Sequence, residues 1–105
     1  MKKIVMISQP MKGLGYNQIV FNRMNAVEYL NSCGYEVADT ILNTEAFKGN
    51  KNDAVRCLAE SIKFMSNVDA VYFLKGWEEA RGCKIEHEIA KQYGIEVLYE
   101  SEQAW

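Results

Sequence analysis

The residues whose types and spacing suit chemistry gather between Asp69 and Ala90, in the stretch DAVYFLKGWEEARGCKIEHEIA. Glu86 is its candidate centre. Ile85, Ile89 and Tyr93 recur at helical spacing until Gly94 stops the helix, which puts Glu86 in its early turns. There the positive end of the helix dipole would keep a carboxylate ionised, as a nucleophile or general base requires. The plainer role for such a residue is a solvated surface carboxylate stabilised by the same dipole. Lys12, Lys75 and Arg81, with the backbone amides at the helix start near Gly82, could together hold a phosphate or carboxylate; each alone reads as surface charge. Trp77 could stack on a ring such as a nucleobase or simply pack over the end of the sheet. Cys83 is either a thiol activated at a helix N-terminus or a small buried filler. His87 has no nucleophile near it in sequence and is expected on the helix flank. Asp69 opens an apolar run, where a carboxylate is costly unless paired or lining a site; a cap or turn role after Asn67 is equally open.

These residues need a scaffold, and the hydrophobic pattern supplies one. Ala70 to Leu74 is continuously apolar, as is Ile4 to Ile7 within Lys2 to Ser8; unbroken runs of this kind mark strands buried on both faces of a parallel sheet. Tyr35 to Ala38 reads as a shorter strand and Ile95 to Tyr99 as the last one. Between them lie three helical patterns. The first opens at Asn17 as N-cap, carries Val20, Met24, Val27 and Leu30 on one face, and closes at Gly34. The second is capped by Asn52 or Asp53 and striped by Val55, Leu58, Ala59, Ile62 and Met65; the third carries Glu86. Asp39 to Asn52 lacks periodicity and is long for a loop in so small a domain, a feature often tied to function. The tail from Glu100 to Trp105 has no pattern.

The totals narrow the field. At 105 residues the chain makes one domain near the lower end of comfortable core size. Hydrophobic content of 49% and charged content of 25% describe an ordinary globular protein. A net charge of −2 offers no general attraction to nucleic acid or to an anionic membrane surface, and the apolar run at Ile4 to Ile7 is too short for a signal segment or a membrane span. Cys33, Cys57 and Cys83 are widely separated and accompany a single histidine, so neither a disulfide framework nor a metal site is expected, and a cytoplasmic setting fits. No cofactor is indicated.

The β-α-β-α-β-α-β order calls for a flavodoxin-like three-layer α/β sandwich: a parallel four-stranded sheet in the order 2-1-3-4, with helices on both faces. In that order the loops after strands one and three flank one crevice. Both contain glycine. The residues expected to contact a ligand there are Ser8, Gln9, Pro10, Met11 and Gly13 from the first loop, and Gly76, Trp77, Glu78, Arg81 and Gly82 from the second. Gly13-Leu14-Gly15 is not a complete dinucleotide fingerprint and carries little weight.

ISQPMKG at Ile7 to Gly13, MSNVDAVYFLKGWEEARGCKIEHEIA at Met65 to Ala90 and the closing GIEVLYE resemble a family of short bacterial and phage proteins. That family is grouped by fold with the nucleoside 2-deoxyribosyltransferases and deoxynucleoside monophosphate N-glycosidases. Similarity to the characterised enzymes rests on Asp69, Gly82, Glu86 and Ala90. In those enzymes the residue matching Glu86 is the nucleophile: it attacks the anomeric carbon, releases the base and forms a glycosyl ester, later resolved by water or another base. The chain also departs from their pattern. A second catalytic Asp stands eight residues before the strand Asp, where this chain has Ser61, with Glu60 turned about 100° round the helix. A hydroxyl cannot replace a carboxylic acid as proton donor, a role that contributes about 10²–10⁴-fold. Their second loop glycine is Lys84 here, the glycine two residues past the nucleophile is Glu88, and the phosphate-binding serine is Ala80.

The resemblance therefore implies cleavage or transfer at a nucleoside or nucleotide N-glycosidic bond, with Glu86 as nucleophile. The alternative is a non-catalytic nucleotide-binding protein, such as a sensor or a phage sponge for a nucleotide signal; a structural oligomer on the same scaffold is the third reading. The related enzymes build each site across subunits, so a homo-oligomer is expected. Asp69, about 17 Å from the loop end at 3.3 Å per residue, would be a structural cap. Glu78 or Glu79 on the loop would then be the available stand-ins for the missing acid at Ser61.

Overall fold

The structure, a computed structural model, describes residues 2–38, 49 and 51–100. In chain order it forms β1 (Ile4–Ser8), α1 (Tyr16–Ser32), β2 (Glu36–Val37), α2 (Asp53–Met65), β3 (Ala70–Phe73), a 3₁₀ turn (Trp77–Glu79), α3 (Arg81–Gln92) and β4 (Glu96–Tyr99). Every strand pairing is parallel, in the order β2-β1-β3-β4. This is the α/β sandwich that the uninterrupted apolar runs call for. The 39–48 segment, most of the long loop, lies outside the described residues, as does the 101–105 tail.

Alternation along each strand divides the core in two. Val5, Ile7, Ala70, Tyr72 and Leu74 point to one face and pack on Ala26 and Leu30 of α1. Met6, Val71 and Phe73 point to the other and pack on Met65 of α2 and on Cys83 and Ala90 of α3. Ser8 follows Met6 by two residues, so it faces α2 and α3.

Several details differ from the sequence reading. The first helix begins at Tyr16 with Gly15 in the N-cap position, not Asn17, and no side chain caps it. Its buried stripe is Arg23, Ala26 and Leu30, while Met24 is exposed. In α2 Val55 and Ala59 face solvent, and only Met65 is fully buried. In α3 the inward stripe is Cys83, Glu86 and Ala90; Ile85 and Tyr93 are exposed. In α3 the inward side is marked by small or polar residues that fit close against the sheet, while large apolar ones stay outside. The second strand is shorter than Tyr35 to Ala38, at Glu36–Val37. Asn52 does cap α2, its Oδ1 accepting from the Val55 amide at 3.1 Å.

Asp69 is exposed, not buried at the strand start. It stitches the sheet at the end opposite Ser8: its Oδ2 accepts from the Ile4 amide at 2.8 Å, and its own amide donates to the Ile4 carbonyl at 2.8 Å. Asp69→Ala should lower the free energy of unfolding by about 1 kcal/mol, the worth of one exposed charge-assisted hydrogen bond. Asp69→Asn, which keeps an acceptor, should lose less. Urea titration of the three proteins tests this; equal stability of all three would contradict it.

Candidate active site

Glu86 lies in the second turn of α3, and only 6% of it is exposed. The carboxylate is held across the layer boundary by the end of β1: Ser8 Oγ donates to Glu86 Oε1 at 2.6 Å. The Ser61 hydroxyl, from α2, faces the same carboxylate and favours its charged form. Three elements thus converge on one acid. Burial is the dominant influence and raises the pKa of Glu86; the hydrogen bonds from Ser8 and Ser61 pull it back down. The solvated, dipole-stabilised carboxylate that the sequence suggests is replaced by a buried one whose ionisation rests on two hydroxyls.

Cys83 packs beside them and is also buried. Burial pushes its thiol up to about 11; a hydrogen bond with Ser8 works against that, and the Glu86 charge adds to it. Cys83 is therefore a protonated filler, not an activated nucleophile.

The two expected loops do meet. Gly76 has φ +91°, a left-handed conformation that any other residue would adopt only with strain, and its Cβ position is 3.6 Å from Pro10 Cγ. In the first loop, Gln9 Nε2 donates to the Ile19 carbonyl at 2.6 Å, while Gln9 Oε1 is buried without a hydrogen-bond partner. That acceptor needs a donor from water or a ligand N–H. Met11, Lys12 and Gly13 are exposed on the rim. In the second loop Lys75, Glu78, Glu79 and Arg81 are exposed and Gly82 is half-buried against Leu58. The Lys75 amide donates to Glu100 Oε1 at 2.8 Å, which ties this loop to the end of β4.

Trp77 packs on its own fold. It stacks on His87 at 4.1 Å between ring centroids and lies 5.4 Å from Phe73. His87 Nε2 is 2.6 Å from the Tyr99 hydroxyl. Burial, then Lys91, lowers the pKa of His87 against the opposing pull of Glu88 and Glu78, so the ring is neutral at neutral pH. This aromatic group fixes the 3₁₀ turn over the end of the sheet, close to the helix that carries Glu86. Two cavities lie elsewhere. One of about 660 Å³ is bounded by Lys2, Val27, Tyr35 and Val37, and one of about 260 Å³ by Tyr29, Tyr72 and Leu98; neither is lined by Glu86.

The buried acid at the end of β1 and the two loops that meet at Pro10 and Gly76 lie within a recognisable sequence family. A family described as "Domain of unknown function (DUF4406)" matches residues 3–99. The chain belongs to that family. No curated protein and no solved structure matches it. The match spans both strand ends and both loops, so in this DUF4406 chain the candidate site is part of the family domain. Among the described residues no group of three or more His, Cys, Asp or Glu side chains is placed to hold a metal ion, and no helix is long and apolar enough to cross a membrane.

The sequence pattern does not disclose how Glu86 is held. Ser61 stood out only as an absent carboxylate, whereas it faces Glu86. Two signals were present: Ser8 shares the parity of Met6 in β1, and Cys83, Glu86 and Ala90 share one face of α3.

A buried carboxyl with a raised pKa has a definite pH signature. Between its ordinary value and the raised one, the folded state holds the proton more often than the unfolded state does. The contribution of Glu86 to stability therefore falls as pH rises through that window and is level above it. Glu86→Gln, whose Oε1 can still accept from Ser8, should remove that fall and be more stable than the parent at neutral pH. Denaturant melts from pH 4 to 8 check this; a parent and variant with parallel pH profiles would contradict it.

Proposed function

We propose that this protein binds a nucleoside or nucleotide in the crevice between the loops after β1 and β3, and cleaves or transfers at the N-glycosidic bond with Glu86 as nucleophile. The observation that carries the reading is the Ser8–Glu86 hydrogen bond of 2.6 Å, which fixes a buried carboxylate at the carboxyl end of β1. That is the end where open parallel sheets hold their ligands. The resemblance to the nucleoside 2-deoxyribosyltransferases and N-glycosidases, which rests on Gly82 and Glu86 near this crevice and on Ala90 and Asp69 toward the opposite sheet end, supplies the chemistry.

In this reaction one Glu86 oxygen bonds to the anomeric carbon as the bond from that carbon to the base nitrogen breaks. The base leaves with the bonding pair and takes up a proton. Water or a second base then opens the glycosyl ester and returns Glu86 as a carboxylate. Ser8 positions the acid, and burial strengthens its attraction to the positive charge that develops on the sugar. Gln9 Oε1, the buried unpaired acceptor, suits an N–H of the base. Glu78 and Glu79 are the exposed acids on the second loop and the available proton donors to the leaving base.

One observation favours a second reading, a non-catalytic nucleotide-binding protein. Ser61 stands where the characterised enzymes carry their second acid, and its hydroxyl is spent on Glu86 itself. Glu60 does not substitute: it pairs with Arg56 at 3.6 Å and Lys63 at 3.9 Å on the outer side of α2.

Incubation with 2′-deoxynucleosides and their monophosphates, followed by chromatography of the freed base, separates the two. The enzyme reading expects base release by the parent and none by Glu86→Gln, with ligand affinity nearly intact. A thermal-shift screen runs beside it, since a ligand at 100 times its dissociation constant adds roughly 2.7 kcal/mol of stability. Binding without release from any nucleoside would replace the enzyme reading with the binder; neither binding nor release would end both.

A further inference from the structure

The helix α1 carries an apolar ridge on the side facing away from the sheet. Ala26 and Leu30 bury the opposite side, yet Phe21 is 56% exposed and Met24 is 65% exposed. Of its 17 residues only Arg23 and Glu28 are charged, and Arg23 is buried. A quarter of the whole chain is charged, so the sparse charge on this outward face is a local feature. Large apolar side chains on the outermost line of a helix, without the usual charged cover, mark a contact surface.

The spacing of that line and the charges at its ends fit a second copy of the same helix. Asn17, Phe21, Met24 and Glu28 follow one another at intervals of four, three and four residues, which places all four on one seam at about 100° per residue. The seam reads the same in both directions. Reversed against itself about a two-fold axis midway between Phe21 and Met24, it sets Phe21 on Met24 of the second copy and Asn17 on Glu28 of the second copy. The charges agree with that register. The first turn of α1 has no acidic residue and its N-cap Gly15 offers no capping side chain, so the positive end of the helix is uncompensated. Glu28 of the opposite copy would lie beside it. The two Glu28 side chains stand about 16 Å apart along the paired axes at 1.5 Å per residue, beyond strong mutual repulsion at physiological salt.

We propose that α1 is the two-fold interface of a homodimer, with two copies of this chain meeting antiparallel along Asn17, Phe21, Met24 and Glu28. The methionine sulfur meets an aromatic ring on each side of the axis, and each Glu28 meets an amide and a helix N-terminus. Leu14 and Met11, exposed just before α1, extend the apolar surface toward the rim of the crevice. The dimer thus brings a second copy close to the first loop of each site. None of this depends on which ligand the crevice takes.

Sedimentation equilibrium at tens of micromolar, with circular dichroism as the control for folding, tests the surface and its register. The parent should sediment as a dimer, and Met24→Glu should weaken it by about tenfold or more with helicity unchanged. Asn17→Asp favours the helix itself but sets a carboxylate against Glu28 of the second copy, so it too should weaken the dimer by about tenfold. Adding Glu28→Lys to Asn17→Asp should restore the parent dissociation constant to within about threefold. A monomeric parent, or a Met24→Glu dimer as tight as the parent, overturns the proposal. So does a double variant no tighter than Asn17→Asp alone, because the antiparallel register requires the rescue.

Discussion

A carboxylate removed from water must be solvated by the protein, and this requirement organises the candidate site. Glu86 has given up nearly all its hydration. An unpaired buried charge of that kind is prohibitive, so the group must either hold its proton or collect donors. The donors come from the other two elements that meet α3 here, Ser8 at the end of β1 and Ser61 on α2. Their registers are consequently tied to one another: a shift of α3 by one residue would bring Ile85 or His87 to the serines and turn the carboxylate about 100° away from both hydroxyls.

The sheet order makes this convergence possible. With β1 and β3 as central neighbours, the loops after them leave side by side, and Pro10 rests against Gly76. The helices α2 and α3 both follow crossovers onto the face that Ser8 points to, so a hydroxyl from a strand and one from a helix reach the same acid. The opposite end of the sheet is closed by Asp69 acting on the Ile4 amide. Two acids in the same stretch of sequence therefore do different work: Asp69 fastens the strand starts, and Glu86 waits at the strand ends.

How much of this could be read in advance depended on the physics of each element. The strands were plain, because a strand buried on both faces must be apolar without interruption, and Ile4 to Ile7 and Ala70 to Leu74 are. Topology followed from the alternation of strand and helix patterns. The helix faces were less legible. Periodicity finds large apolar residues, but α3 turns Cys83, Glu86 and Ala90 inward and leaves Ile85 outside. Close packing against a sheet selects small residues, and a buried acid breaks the apolar stripe, so the pattern was misphased where the site lies. Periodicity likewise sets Met24 on one face with Val20, Val27 and Leu30, whereas its exposure leaves α1 with an uncovered seam. The Ser8–Glu86 bond spans 78 residues of sequence, a separation at which local pattern carries no information.

As a nucleophile, and not only a structural acid, Glu86 would have to bond with the sugar. The most direct measurement is intact-protein mass spectrometry after incubation with a 2′-fluoro-2′-deoxynucleoside. The fluorine slows hydrolysis of a glycosyl ester more than it prevents its formation when the base leaves readily. A nucleophilic Glu86 gives a mass gain of one fluorodeoxyribosyl group, mapped by peptide digestion to Glu86 and absent from Glu86→Gln. A sugar adduct on any other residue, or base release with no adduct on Glu86 under conditions that trap such esters, would contradict it.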